Sequence, residues 1–249
     1  MKNFLVVLIL FWILNACEKP SDCVESSGAT ITKEIVVQPF KKIKVYRGIE
    51  VIITEGIMYK VEIVAGANFI DNVEVRQNGD QLIFKDELSC NWVRAYGTTK
   101  ILVTTPTLEE VYSKTDRNIS SNGVLTFPYI NFIAMDKDGD GESGAGTGDF
   151  ILNVNNDYLN IANNNVSRFY LSGQTNTANF NFYFGDGRIE AENLTVQSMI
   201  VYHRGSNDMT VKPIQSITGI MNSTGNIVLK NLPPIVNVQE LYQGSVIYP

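Results

Sequence analysis

The second half of the chain repeats a unit of about 20 residues. In each unit, two apolar residues flank one polar or mixed residue, which is the alternation of a strand with one buried face. The first apolar column is Phe169, Ile189, Met209, Ile227 and Val246, and the second, two positions on, is Leu171, Ala191, Val211, Leu229 and Tyr248. A fixed period of this length indicates structural units that stack on one another. The chain is therefore expected to be all-β.

An earlier strand precedes this one in each unit. Its columns are Leu159, Phe180, Met199, Ile217 and Val236, followed two positions on by Ile161, Phe182, Val201, Gly219 and Val238. Turns rich in Gly, Asn, Asp and Ser join the two strands. Because one coil cannot bury its inner face alone, two strands in about 19 to 20 residues predict a right-handed parallel β-helix, or β solenoid. A β sandwich of regular hairpins is the alternative, and it predicts alternation without columns.

The chain divides into four predicted segments. Residues 1–17 form a lipoprotein signal peptide, residues 18–30 a tether, residues 31–107 a short β meander and residues 108–249 the β-helix. The meander is predicted from short β-branched runs separated by turn residues. Its clearest turn is Asn78-Gly79, which favours positive φ at both residues and predicts a hairpin.

The signal peptide is predicted from an apolar run that follows one positive charge. Lys2 precedes the run Leu5–Leu14, and Leu14-Asn15-Ala16-Cys17 resembles a bacterial lipobox. An apolar core of about 7 to 15 residues is typical of a secretory signal, whereas a membrane span needs about 20. Cys17 is then expected to carry the lipid that anchors the protein to the outer membrane, with the periplasmic or cell-surface face left open. An ordinary signal peptide that ends near a cysteine is the alternative.

Two further cysteines remain if Cys17 is acylated, and they are Cys23 and Cys90. Pairs of cysteines outside the cytoplasm tend to form disulfides. We therefore expect a Cys23–Cys90 disulfide that joins the tether to the first domain. Two unrelated buried cysteines are the alternative.

Charge composition argues against one class of partner. The chain has 20 basic and 26 acidic residues and a formal net charge of −6. Nucleic-acid binding normally requires a clustered basic face. Nucleic acid is therefore not an expected partner.

One charged segment has the pattern of a metal-binding loop. Aspartates at relative positions 1, 3 and 5 with glycine at position 6 form the first half of an EF-hand-type calcium loop. The candidate ligands are Asp136, Asp138, Asp140 and Glu142. Thr147 stands where a bidentate acid is expected, so a solvated insertion between two coils is the alternative. No other cofactor is expected.

Catalysis is not predicted, although two groups of residues have side chains of catalytic types. His203 is the only histidine, and the pattern places it in a column with Phe184 and Met221, which indicates a packed position. Arg168, Arg188 and Asp208 form a column that could contact sugar carboxylates or supply a base, but an exposed Arg188–Asp208 ion pair is the simpler interpretation.

A cluster of aromatic residues occupies one coil. Alternation predicts that Phe180, Phe182 and Phe184 point into the core and that Tyr183 points outward. Tyr183 could then stack on a sugar ring or be an ordinary surface tyrosine.

Several short motifs resemble a known family. Five segments are similar to the head GIN domain of auto-transporter adhesins, which is frequent in lipoproteins of Bacteroidetes. They are the lipobox, the run Phe40-Lys41-Lys42-Ile43-Lys44-Val45, the segment Gly48-Ile49-Glu50, the segment Cys90-Asn91-Trp92 and the last residues Gly244-Ser245-Val246-Ile247-Tyr248-Pro249. The family has Gly-Ile-Asn where this chain has Glu50. The resemblance implies a β-helical fold and a cell-envelope location, and it supplies no catalytic residues.

The expected function is non-catalytic. We expect a rigid scaffold that binds glycan or protein through the lateral face of the solenoid. A periplasmic structural or assembly protein of the envelope is the alternative, and a polysaccharide-active enzyme is a third. Converging carboxylates in a cleft would favour the enzyme, a flat polar face would favour binding, and an uncovered last coil near Tyr248 would favour assembly.

Overall fold

A computed structural model describes residues 26–87, 99–136, 139–140 and 146–249. These residues form strands and a short 3-10 turn at Ile70–Asn72, and they contain no α-helix. The predicted all-β class is confirmed. The first nine strands are β1 Thr30–Ile35, β2 Lys42–Val45, β3 Glu50–Glu55, β4 Lys60–Gly66, β5 Val73–Asn78, β6 Gln81–Asp86, β7 Lys100–Thr105, β8 Glu110–Ser113 and β9 Ile119–Ser121. The remaining eight are β10 Tyr129–Ala134, β11 Phe150–Asn163, β12 Arg168–Phe182, β13 Arg188–His203, β14 Met209–Met221, β15 Ile227–Leu229, β16 Ile235–Glu240 and β17 Val246–Ile247.

The strands form two stacks of parallel neighbours. The first stack runs through β7, β3, β9, the first halves of β11 to β14, β15 and β17. The second stack runs through β6, β2, β8, β10, the second halves of β11 to β14, and β16. Antiparallel strands complete one end, where β4 and β1 extend the first stack and β5 extends the second.

The predicted apolar column that contains Phe169 is a row of paired residues in the first stack. Phe150, Phe169 and Ile189 are register partners in successive strands, and the row continues to Met209, Ile227 and Val246. All of these side chains are buried. The rings of Phe150 and Phe169 stack with centroids 4.5 Å apart. The predicted column is therefore confirmed, and burial of its apolar surface helps to hold these strands together.

The predicted columns of the second stack are wrong in one strand, β12. Ala178, and not Phe180, pairs with Leu159 and with Met199, whereas Phe180 pairs with Ile161 and Val201. The error is a slip of two residues. Because side chains alternate with period two, such a slip leaves every residue on its original face, so hydrophobic pattern alone does not detect it.

The predicted hairpin is present between β5 and β6, which pair antiparallel. Asn78 pairs with Gln81, so the two loop residues are Gly79 and Asp80, one position later than expected. Gly79 has φ +60°, the left-handed conformation that such a tight turn requires at its first position.

Parallel pairing crosses the predicted boundary between the meander and the β-helix, because β2 and β3 pair with β8 and β9. The division at 107/108 stays a prediction. The signal peptide, Cys17, Cys23, Cys90, Asp138 and Glu142 lie outside the described residues. Within the described ranges, no helix has the length and apolar character that crossing a bilayer would need.

Candidate functional site

A groove on the outer face of the first stack is the leading candidate. Tyr170 pairs with Glu190, but two residues further along Ser172 pairs with Asn193, so β13 carries one extra residue. Such a β-bulge bends the strand and re-aims its side chains. The resulting depression, here called the bulge groove, has a volume of about 380 Å³. Its lining residues are Ser121, Ile151, Leu152, Asn153, Tyr170, Leu171, Ser172, Glu190, Glu192 and Asn193.

The bulge groove combines an aromatic side chain with hydrogen-bonding groups. Tyr170 is 38% exposed, and its register partners are Ile151 on one side and Glu190 on the other. Glu190 Oε1 lies 3.3 Å from Arg188 Nη1, and Glu192 Oε2 lies 4.0 Å from Lys230 Nζ. The carboxylates accept hydrogen bonds, and the amides of Asn153 and Asn193 donate and accept them. An apolar ring surface beside such groups suits a ligand with an apolar face and several hydroxyls.

A second pocket, of about 440 Å³, adjoins the start of the same strands. Arg168 and Arg188 are register partners in it, which confirms that part of the predicted column. Interaction with the Tyr170 side chain raises the pKa of Arg168.

The expected Arg188–Asp208 ion pair is wrong. Arg188 pairs with Glu190 instead, while Asp208 Oδ1 accepts hydrogen bonds from the backbone N–H of Asn226, at 2.8 Å, and from its side-chain amide, at 3.1 Å. Asp208 therefore ties the turn before β15 to the preceding coil.

A third depression lies at the corner where β11 and β12 pass from the first stack to the second. It is here called the corner groove, and its volume is about 250 Å³. Gln174 Nε2 donates to Asn155 Oδ1 at 2.9 Å, and Asn176 Nδ2 donates to Asp157 Oδ1 at 2.7 Å, so neighbouring coils are joined by side chains. Its lining residues are Thr126, Pro128, Asn155, Asn156, Asp157, Gln174, Thr175, Asn176 and Gln197.

Asp140 of the acidic segment forms ion pairs with two buried lysines. Asp140 Oδ2 lies 2.5 Å from Lys44 Nζ, and Asp140 Oδ1 lies 2.7 Å from Lys114 Nζ. The hydroxyl of Tyr46 donates to the same carboxylate, and both ammonium groups lie about 5.4 Å from the centre of the Tyr46 ring. Burial, reinforced by the hydrogen bond to Asp140 and opposed by Lys44, raises the pKa of Tyr46 to about 12. Charge pairing thus attaches Asp140 to the core.

The two described aspartates of the candidate calcium loop have separate partners. Asp136 Oδ1 accepts a hydrogen bond from Asn165 Nδ2 at 2.5 Å, whereas Asp140 contacts the lysines. The described part of the chain holds no group of three or more His, Cys, Asp or Glu residues placed to bind a metal. Asp138 and Glu142 lie outside it, so calcium binding stays a prediction.

His203 is fully buried, as its column indicated, but its neighbour is Phe182 and not Phe184. The Phe182 and His203 rings meet edge to face with centroids 6.3 Å apart, and His203 Nδ1 accepts a hydrogen bond from the N–H of Gly205 at 3.4 Å. Burial lowers the pKa of His203 to about 4, against opposing effects of the Asn207 backbone and Asp208. The imidazole is therefore neutral at pH 7.

The aromatic cluster follows the prediction at three positions of four. Phe180 and Phe182 are fully buried and Tyr183 is 39% exposed, but Phe184 is 54% exposed. β12 ends at Phe182, so the alternation that placed Phe184 in the core no longer applies beyond that residue.

Comparison with known proteins places the chain in a family. The family model described as the putative auto-transporter adhesin, head GIN domain, matches residues 39–233. The chain belongs to this family. No curated protein matches this head GIN domain chain.

Solved structures of similar fold include three for which the match covers 89% of this chain and 97% of the other chain. A putative adhesin from Bacteroides fragilis has 22% identity and a TM-score of 0.77. A putative adhesin from Parabacteroides merdae has 17% identity and a TM-score of 0.58, and a putative lipid binding protein from Parabacteroides distasonis has 16% identity and a TM-score of 0.62. At these identities the likeness shows the shared fold. Neither the family nor these neighbours is described as an enzyme.

Sequence reasoning missed both grooves. Tyr170 and Glu190 stand in the mixed position between two apolar columns, which carries no signal of its own. The extra residue of β13 lengthens the interval between register partners, which is greater from Ser172 to Asn193 than from Tyr170 to Glu190. Nothing in the local pattern distinguishes Asn156 from the other asparagines at turns.

Proposed function

We propose that this head GIN domain protein is a lipid-anchored envelope protein whose lateral face binds glycan or protein without catalysis. The bulge groove carries the proposal, because it sets an exposed tyrosine among carboxylates and amides on a rigid sheet face. Sites built on strands hold their side chains more accurately than sites on loops. A sugar would stack on Tyr170 while its hydroxyls donate to Glu190 and Glu192.

Variants of two equally exposed tyrosines test this role. Tyr170 and Tyr183 are 38% and 39% exposed, but only Tyr170 lines the bulge groove. We expect Tyr170→Ala to abolish binding to an immobilised glycan panel and Tyr183→Ala to retain it. Equal retention by both variants would exclude the bulge groove, and absence of binding by the unmodified protein to any glycan would direct the search to protein ligands.

The anchoring proposal includes Cys17 as the acylated residue, an outer-membrane location, and coils that wind as a right-handed β-helix. Parallel neighbours one coil apart support the winding, since parallel crossovers are almost always right-handed. Labelled fatty acid should enter the unmodified protein and be absent from Cys17→Ala. Protease treatment of intact and permeabilised cells then distinguishes the surface from the periplasm.

Envelope assembly is the second candidate, and the last coil favours it. Leu241, Tyr242, Ile247 and Tyr248 are between 45% and 62% exposed, and β16 and β17 each leave one edge unpaired within the described sheet. Exposed apolar side chains on an open sheet edge are typical of interaction surfaces. Crosslinking in cells through a photoreactive residue at position 242 would identify an envelope partner, and only monomer in that experiment would exclude this role.

A further inference from the structure

Two arginines stand directly opposite each other on the outer face of the first stack. Arg168 and Arg188 are register partners in β12 and β13, whose backbones lie about 4.8 Å apart. Both side chains are exposed. They line the pocket of about 440 Å³, here called the arginine pocket, together with Thr147, Asp149, Val166, Asp186 and Asn207. Like charges at directly opposite positions destabilise a sheet, so this alignment favours an anion held against both guanidinium groups.

Acidic residues of the chain compensate these two charges only in part. Glu190 Oε1 lies 3.3 Å from Arg188 Nη1, but among the described residues no carboxylate forms an ion pair with Arg168. Asp149 Oδ1 accepts a hydrogen bond from the backbone N–H of Arg168 at 3.3 Å, and Asp186 accepts one from a serine hydroxyl in the next coil. The Arg168 guanidinium therefore has N–H donors that an external acceptor can use.

The chemistry of the guanidinium group indicates the class of ligand. Its planar fork of N–H donors matches the oxygens of a carboxylate, sulfate or phosphate and binds them through two parallel hydrogen bonds. The Arg188–Glu190 pair does not block such a ligand, because its side chains are 45% and 32% exposed and an exposed ion pair contributes at most about 1 kcal/mol. The arginine pocket therefore suits an oxyanion.

The arginine pocket is continuous with the bulge groove. Arg168 and Tyr170 are alternate residues of β12, so they share one face of the sheet and lie about 7 Å apart along the strand. Interaction with the Tyr170 side chain raises the pKa of Arg168, which places the two side chains next to each other. Glu190 is the register partner of Tyr170, and Glu192 lies further along β13. Cations thus lie at one end of the groove and carboxylates at the other.

We propose that the ligand of this face is an acidic glycan, whose carboxylate or sulfate accepts hydrogen bonds from Arg168 and Arg188 while a sugar ring stacks on Tyr170. The inference rests on the proposed glycan-binding function and names the substrate class of that site. Hydroxyls of the stacked sugar donate to Glu190 and Glu192, so the opposite charges at the two ends of the groove fix the direction of the glycan. A neutral glycan leaves the two facing cations uncompensated.

Two pairs of probes test this class of ligand by calorimetry. The first pair is a trimer of galacturonic acid and its methyl ester, which has nearly the same shape without the charge. The second pair is a sulfated trimer of galactose and the unsulfated trimer. We expect the charged member of at least one pair to bind about tenfold or more tightly than its neutral counterpart. The pair that shows the larger difference identifies the oxyanion as carboxylate or sulfate.

Variants of the arginines connect this preference to the pocket. Arg168→Gln and Arg188→Gln change exposed side chains, so both proteins should melt at the same temperature as the unmodified protein or higher, since one of two facing charges is removed. Each should bind the charged probe about tenfold more weakly and the neutral probe equally well. Arg168→Lys should lose part of the affinity, because lysine keeps the charge without the planar fork. Arg76→Gln on β5 is the control of equal charge and should retain full binding.

Equal affinity of the unmodified protein for the charged and neutral members of both pairs would overturn the inference. So would an unchanged preference in Arg168→Gln and Arg188→Gln, or a loss of equal size in Arg76→Gln. Failure of the proposed function has a different signature. If neutral glycans bind and Tyr170→Ala abolishes that binding, the glycan site stands and the acidic class is wrong, whereas absence of binding to every glycan rejects both.

Discussion

Asp140 places a carboxylate oxygen 2.7 Å from the ammonium nitrogen of Lys114, whose side chain is fully buried. Its other oxygen lies 2.5 Å from Lys44, a residue on the adjacent strand β2. One carboxylate, that of Asp140, thereby contacts β2 and the residue that directly follows β8. Asp140, which is also one of the predicted calcium ligands, thus forms ion pairs with two buried lysines.

Removal of this carboxylate should destabilise the fold. Asp140→Asn keeps the shape of the side chain but withdraws its charge from two buried cations, which should lower the free energy of unfolding by about 3 kcal/mol in urea denaturation. Asp71→Asn is the control, because the Lys33–Asp71 pair is exposed and its loss should cost no more than about 1 kcal/mol. Equal effects of the two variants would contradict a core role for Asp140.

His203 should make stability depend on pH in a defined window. Burial holds the folded pKa at about 4, below the ordinary 6.5, so the unfolded chain binds more protons between these values. The stability is fully present above about pH 6.5 and is lost toward pH 4, by up to about 1.4 kcal/mol per pH unit. Because the chain has one histidine, its ring protons can be followed directly by NMR.

The matched variant for this prediction is His203→Phe. It loses the hydrogen bond from Gly205 and should be less stable at every pH, but the slope of unfolding free energy between pH 4 and pH 6.5 should become shallower. An NMR titration of the folded protein with a midpoint near 6.5 would show that burial does not suppress protonation.

Core phenylalanines and their exposed neighbour should respond differently to truncation. Phe169 is fully buried between Phe150 and Phe182, so Phe169→Ala leaves a cavity and should cost about 3 to 5 kcal/mol. Phe184→Ala removes a side chain that is 54% exposed and should cost less than about 1 kcal/mol. Chemical denaturation of both variants checks the correction to the position of Phe184.

Alanine variants of two glycines with positive φ distinguish the cost of a steric clash from the cost of an unfavourable backbone conformation. Gly219 has φ +143°, and a Cβ there would lie 1.9 Å from Val201 O on the preceding strand. Gly123 has φ +91°, and a Cβ there would meet no atom within 4 Å. Both alanine variants are strained, but Gly219→Ala must also separate two strands and should cost at least about 1 kcal/mol more in thermal unfolding. Equal losses of thermal stability in the two variants would show that β13 and β14 separate locally at little cost in free energy.

The fold was predictable where the sequence is periodic. The Phe169 column appears in the structure as a row of partners because each member lies on the buried face of its strand. Prediction failed at Phe180, where a slip of two residues preserves the alternation, and at Phe184, where the strand had already ended. Strand ends and register depend on neighbouring coils, which a single stretch of sequence does not contain.

The candidate site was much less predictable than the fold. Tyr170 acquires its surroundings from a bulge in the next strand, and Asn156 has no hydrogen-bond partner among the described residues because the hydroxyl of its register partner Thr175 donates to Thr177 O. Each relationship joins residues about one coil apart whose side chains have no local pattern. The Arg168–Arg188 alignment was an exception, since both residues begin a strand at the same point of the repeat.

The sequence by itself determined that this chain is all-β and is built from stacking units, because alternation and a recurring period of about 20 residues are properties of neighbouring residues. Only the tertiary structure decided which residues are partners, where β13 bulges, and that Asp140 lies against Lys44 and Lys114. The physical reason is that apolar burial specifies a face, whereas register, bulges and ion pairs depend on the exact fit between coils that lie apart in the chain.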